Sequence, residues 1–168
     1  MVLAQNMQPS VNEDNQELKD GYLRTLMLIE RLHRQLLDVL KDELDRQRRD
    51  DINSVQALLL FNIGDDELTA GELRTRGHYL GSNVSYNLKK LVDGGYLSHQ
   101  RSAKDKRAVR VRLTDEGLKV RAMVEALFDR QLGSLGPVAN LGDEALQDLN
   151  AALMRLERFW GDHIRYRL

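Results

Sequence analysis

From about Glu17 to Arg49, apolar side chains recur at three- and four-residue steps: Leu18, Tyr22, Leu26, Ile29, His33, Leu36, Leu37, Leu40 and Leu44. That spacing lines one face of a helix. Leu23, Met27 and Leu32 widen the stripe. Such a helix is longer than a small core requires, so its surplus apolar surface calls for another partner, such as a second subunit. Residues 1–16 are polar, contain Pro9 and lack periodicity, which predicts a flexible arm. Asn53 is placed to cap a second helix through Ser-Val-Gln-Ala-Leu-Leu-Leu-Phe-Asn-Ile, with Gly64 as its stop.

A strand-like turn is expected at 67–69. Two short helices follow, Ala70 to Arg76 with Leu73 inward and Ser82 to Asp93, across a turn from Gly77 to Gly81. Gly94-Gly95 ends the second. The period then changes. Tyr96 to Arg101 and Arg107 to Leu113 are β-compatible runs; in the second, Val109, Val111 and Leu113 alternate with Arg110 and Arg112. The polar residues between them predict a β-hairpin with a charged tip. Thr114 is placed to cap the next helix, with Asp115 and Glu116 suited to its dipole. That helix is expected to end near Leu132, where Gly133, Gly136 and Pro137 follow. A last helix, Gly142 to Ile164, carries Leu146, Leu149, Leu153, Leu156, Phe159 or Trp160, and Ile164 along one face.

The fold this order predicts is mainly α with a small β-hairpin wing: a winged helix-turn-helix with long N- and C-terminal dimerisation helices. The expected organisation is an arm at 1–16, a helical dimerisation region at 17–50 and 115–168, and a DNA-binding lobe at 51–114, all in one intertwined domain. A helix of about three turns fits the major groove of B-DNA. In the helix from Ser82, the residues Val84, Leu88 and Leu91 would bury against Leu73 and Leu80. The opposite face presents Ser82, Asn83, Ser85, Tyr86, Lys89 and Lys90, groups that bond bases and phosphates. The hairpin tip carries Arg101, Lys104, Asp105, Lys106 and Arg107, a basic finger able to reach a minor groove. Asp105 either holds Arg107 or Arg101 in place or simply favours the turn.

Charge sharpens this picture. The whole chain has a net charge of −1, yet from Arg74 to Arg112 ten basic residues face two acidic ones, giving +8 there and −9 elsewhere. The middle of the chain would attract a polyanion and the flanks would repel one. There is no Cys, which removes disulfides and thiolate metal sites. No apolar run approaches the roughly 20 residues of a membrane span. The N-terminus has neither the basic nor the apolar part of a secretory signal, so a cytoplasmic location is expected and no membrane partner. An enzyme is not expected. His33, His78, His99 and His163 are scattered, no phosphate loop or nucleophile elbow occurs, and Asp65-Asp66-Glu67 reads as a turn. No cofactor is expected.

The run from Gly95, GYL followed by DKRAVRVRLTDEG, resembles the wing signature of the MarR family of regulators in Asp105, Arg107, Val109, Val111, Leu113, Thr114 and Gly117. SNVSYNLKKLVDGG is similar to that family's recognition helix, and the resemblance extends from about Leu18 to Ile164. It implies a homodimer whose first and last helices entwine, with Leu18, Tyr22, Leu146, Leu149, Leu153, Leu156, Trp160 and Ile164 at the interface. It implies double-stranded DNA as partner, with recognition helices in successive major grooves of a pseudo-palindrome about 10 bp apart. The protein would work in a bacterial or archaeal cytoplasm and on the nucleoid when bound. Arg107 becomes the minor-groove residue and Asp105 its orienting partner. The chain departs from the family at His99, where an Arg is frequent. The resemblance also implies a small aromatic or phenolic effector in a cleft that His33, Gln56 and Tyr79 would line. The lack of Cys excludes a thiol-oxidation switch. The competing reading is a winged-helix protein-interaction module that does not bind DNA, for which a neutral or apolar recognition face would be expected.

Overall fold

The computed structural model describes residues 11–64, 68–69, 81–101 and 109–166, with side chains described within 15–64, 85–99 and 110–166. Helix α1 spans Val11–Arg46 and α2 Ser54–Ile63. Strand β1 is Leu68–Thr69, helix α3 is Gly81–Asp93, and strands β2 and β3 are Leu97–Arg101 and Val109–Leu113. Helix α4 spans Asp115–Ala139 and α5 Asp143–Tyr166. The expected helix at 70–76 and the turn to Leu80 lie outside the described residues.

The start of α1 departs from the expected arm at 1–16: residues 11–16 are helical. Polar residues such as Asn15, Gln16 and Glu17 extend a helix already nucleated by the stripe downstream, because each residue added to an existing helix gains one hydrogen bond. The larger correction concerns α4. It does not stop near Leu132 but continues through Gly133, Gly136 and Pro137 to Ala139. Leu127, Gln131, Ser134, Leu135 and Val138 share one face there and line a shallow groove. The two glycines lie off that face, with open space where a Cβ would stand. Pro137 already has a helical φ, and its missing N–H costs one hydrogen bond close to the end of the helix. Asn140, in the left-handed region at φ 53°, then closes α4.

Short signals fix the other ends. Asn53 and Gln56 form a reciprocal capping box: the Gln56 N–H donates to Asn53 Oδ1 at 2.9 Å, and the Asn53 N–H donates to Gln56 Oε1 at 3.1 Å. Helix α3 ends in a Schellman turn: Tyr96 N–H donates to the Leu91 carbonyl, Gly95 N–H donates to that of Val92, and Gly95 sits at φ 78°.

The wing is more than a hairpin. β2 and β3 pair antiparallel, with Leu97 opposite Leu113 and Arg101 opposite Val109. β1 adds antiparallel to the other edge of β3, Leu68 opposite Val111, giving the order β1-β3-β2. Alternation holds as expected for the described side chains: Val111 and Leu113 are buried, Arg110 and Arg112 exposed.

One core joins the lobe to the lower half of α1. It contains Leu40 and Leu44 of α1, Ala57, Leu59, Leu60 and Ile63 of α2, Leu88 and Leu91 of α3, the wing residues, and Val120, Val124 and Leu127 of α4. α2 is apolar nearly all round because it is enclosed by other elements. Phe61 and Phe128 meet edge to face at 5.2 Å on the flank of this core.

Candidate nucleic-acid interface

Helix α3 is two-faced. Leu88 and Leu91 pack into the core, while Ser85, Tyr86, Lys89 and Lys90 lie on the outside. Tyr86 is 61% exposed, and Lys90 Nζ lies 5.8 Å from its ring centroid. A cation–π contact at an exposed site is worth about 0.5–1 kcal/mol, enough to bias the ring's orientation. Ser82 and Asn83 occupy the first turn of α3, at the end where helical N–H groups favour anions. Arg101 ends β2, while Lys104, Asp105, Lys106 and Arg107 at the wing tip lie outside the described residues. His99, where the family pattern has Arg, is exposed on β2.

What holds α3 in place was not visible in the sequence. The turn after it is clasped to the start of α4. Thr114 caps α4 by accepting from the Gly117 N–H at 3.2 Å, and its own hydroxyl donates to the Gly95 carbonyl at 2.6 Å. The Thr114 N–H donates to the Tyr96 carbonyl at 3.1 Å. A Cβ at Gly117 would stand 2.2 Å from that same carbonyl oxygen, so only glycine fits. The Leu-Thr-x-x-Gly part of the wing motif therefore has a mechanical meaning. It brings the end of α3 against the first turn of α4.

Tyr96 is buried, and its hydroxyl donates to Asp51 in the α1–α2 turn. Arg49 Nη1 reaches the same hydroxyl at 3.5 Å, and Arg49 Nη2 lies 3.5 Å from Glu116 of α4. Burial, and next the Asp51 carboxylate, push the Tyr96 phenol above its ordinary range, so it keeps its proton and remains a donor. Glu116, about half exposed, has a carboxyl held below the usual range, chiefly by its contact with Lys119 at 2.5 Å.

A second node lies one turn up α1. Glu43 is only 1% exposed, yet it accepts from Arg46 at 2.8 Å, Arg130 of α4 at 2.8 Å and Gln47 at 3.1 Å. Desolvation is the largest influence on this carboxyl and acts to raise its pKa. The hydrogen bonds from Gln47 and Arg130 and the two guanidinium charges together outweigh it, and the group sits below the usual range. Its position between Leu40 and Leu44 on the apolar stripe was the available clue.

The terminal helices present a different surface. Leu18, Tyr22, Leu23, Met27, Leu28 and Leu32 of α1 are exposed, as are Leu149, Leu153 and Ile164 of α5. Leu146, Leu156 and Trp160 are half-buried, and Trp160 Nε1 donates to Tyr22 at 3.1 Å, tying the two helices together within one chain. His33 is exposed on α1, and the Gln56 amide is engaged in the capping box. Tyr79 lies outside the described residues. Among the described residues, no helix is long and apolar enough to cross a membrane, and no cluster of three or more potential metal ligands occurs.

The described elements define a winged-helix lobe carried on long terminal helices. Residues 50–108 match the MarR family. The chain is 36% identical over 164 residues to the exopolysaccharide II synthesis transcriptional activator ExpG of Rhizobium meliloti (strain 1021), covering 94% of this chain and 81% of that protein. Among solved structures, a MarR protein from Peptoclostridium difficile superposes with a TM-score of 0.71 at 16% identity, covering 99% of this chain and 100% of the other. FabT of Streptococcus pneumoniae, crystallised in complex with DNA, gives a TM-score of 0.66 at 20% identity, covering 84% and 98%. The chain belongs to the MarR family of transcriptional regulators and is not an enzyme.

Proposed function

We propose that this regulator binds double-stranded DNA sequence-specifically, as a homodimer on a pseudo-palindromic operator, in the cytoplasm of the cell that makes it. The observation that carries the reading is the split of α3. Its apolar side anchors in the core, while its outer side offers hydroxyl, aromatic and ammonium groups on a chain segment of net charge +8. Phosphate contacts position such a helix, and base-edge contacts specify the site. The FabT structure contains DNA, and the R. meliloti relative is named a transcriptional activator; both support the reading.

The uncovered apolar faces of α1 and α5 support the homodimer. Large contiguous apolar patches are rare on monomers. In the wing, Arg107 would enter the minor groove with Asp105 orienting it, flanked by Arg101, Lys104 and Lys106. A small aromatic or phenolic effector would act by binding one spacing of the two lobes more tightly than the other. His33 and Tyr79 are its proposed contacts, with Gln56 holding the adjoining helix start.

Selection of bound duplexes from a random pool tests the proposal. The expected product is a motif with two inverted half-sites about 10 bp apart, centre to centre. Recovery of no enriched sequence would reject sequence-specific binding and favour the protein-interaction alternative.

A further inference from the structure

The recognition face of α3 is backed on its inner side by Leu88 and Leu91, which pack into the core through non-directional apolar contacts. Directional constraint comes from its C-terminal end. The Tyr96 N–H bonds the Leu91 carbonyl of α3, and the Tyr96 carbonyl accepts from Thr114 at the start of α4. The Tyr96 hydroxyl donates to Asp51 and lies 3.5 Å from Arg49, which also reaches Glu116. Asp51 and Arg49 closely follow the end of α1, whose upper part carries the uncovered apolar face. One buried residue thus bonds the recognition helix and the α4 start through its backbone, and the foot of the long terminal helix through its hydroxyl.

We propose that Tyr96, Asp51 and Arg49 form a latch that sets the angle of α3 relative to the terminal helices, and are therefore positioning residues for operator reading. The inference rests on the reading of α3 as the recognition helix. The lever is long enough to matter. A helix of 13 residues is about 20 Å long, so a tilt of about 10° at its latched end moves its first turn by about 3 Å. Base-edge hydrogen bonds tolerate only a few tenths of an ångström. In a two-fold dimer the error enters twice, so the latch governs the half-site spacing the protein accepts, beyond its overall affinity.

The test uses the full chain with Tyr96→Phe, Asp51→Asn and Asp51→Ala, and two readouts. Hydrogen exchange without DNA comes first. Tyr96→Phe and Asp51→Ala should speed exchange of α3 amides by about tenfold or more while leaving α2 amides unchanged. Asp51→Asn keeps an acceptor for the phenol and should stay near the unmodified protein. The second readout is affinity for selected duplexes whose half-site spacing is altered by one base pair. Tyr96→Phe should flatten the preference for the correct spacing, while its fraction of binding-competent protein remains full. Unchanged α3 exchange in Tyr96→Phe overturns the latch. So does acceleration of α2 and α3 together, or an Asp51→Asn protein as impaired as Asp51→Ala. If the unmodified chain binds no duplex, the DNA reading falls and the exchange readout still decides the latch.

Discussion

The lobe and the terminal helices use the same apolar alphabet to opposite ends. In the lobe and the start of α4 that packs on it, Leu59, Leu60, Ile63, Val120 and Val124 are almost fully enclosed by their own chain. In α5 no side chain is buried, and along the upper half of α1 Leu18 remains 72% exposed. Both stretches carry enough apolar surface to predict burial, as a periodic stripe in α1 and α5 and nearly all round in α2. The difference teaches that periodicity reports how much surface a helix must hide, and is silent on whose surface hides it. The lobe finds its cover within the chain, in part from Leu40 and Leu44 of α1; the upper part of α1 and α5 keep apolar faces that the described residues leave uncovered.

The largest effect that separates the two regions is a core truncation. Leu60→Ala should destabilise the protein by about 2–5 kcal/mol, since the methyl groups removed lie in a packed interior. Because Leu60 belongs to the lobe, denaturant melts of the variant should show the loss at every protein concentration. A loss that disappears as the protein is concentrated would break the comparison.

Placing charge on α5 should act the other way. Leu153→Glu with Leu156→Glu should weaken self-association by about a hundredfold or more, roughly 3 kcal/mol, because ionised groups in an apolar interface are poorly solvated. Sedimentation velocity should then show a folded monomer with the α2 and α4 helices intact. A dimer of unchanged affinity would remove α5 from the interface.

Glu43 bridges the two regions through Arg130, and its effect should depend on pH. Its folded pKa lies below the unfolded value of about 4.5, so its contribution is complete above that pH and is lost as pH falls through the folded pKa. Glu43→Gln should cost about 1–2 kcal/mol at neutral pH, within the range of charged hydrogen bonds, and progressively less in acid. Thermal melts across pH 7 to 3 check this; a cost that does not shrink would mean that the charge is not what stabilises the node.

The smallest expected effect is at the foot of α1. Arg48 closes that helix at φ 55°, with its N–H donating to Asp45 and that of Arg49 to Leu44, a place usually taken by glycine. Arg48→Gly should stabilise by a few tenths to about 1 kcal/mol, after glycine's greater unfolded-state freedom offsets part of the relief. A measurable loss would show that the Arg48 side chain contributes contacts of its own.

Much of this architecture was legible because its punctuation is local. Asn53 and Thr114 cap nearby backbone N–H groups with their side chains, Gly64 and Gly94-Gly95 turn the backbone, and each marks an element end. The α4 continuation does not follow from residue type alone, because glycine and proline both disfavour a helix interior; here the two glycines meet open space and Pro137 falls within the last turn before Asn140 closes the helix. The candidate contacts on α3 follow from a single helical period. The latch could not be read that way. Asp51, Tyr96 and Glu116 are far apart in sequence, and a tyrosine opening a strand looks like ordinary β-propensity. The buried Glu43 is similar, since its partner Arg130 lies 87 residues away.

The central claim is that two copies, joined by the terminal helices, present two α3 faces to one duplex. Titration of the full chain against a selected duplex, repeated from about 50 to 200 mM salt, tests it most directly. The prediction is two chains per duplex and affinity falling by about 10³-fold or more across that range, as release of several counterions requires. One chain per duplex, or no binding at the lowest salt, would contradict it.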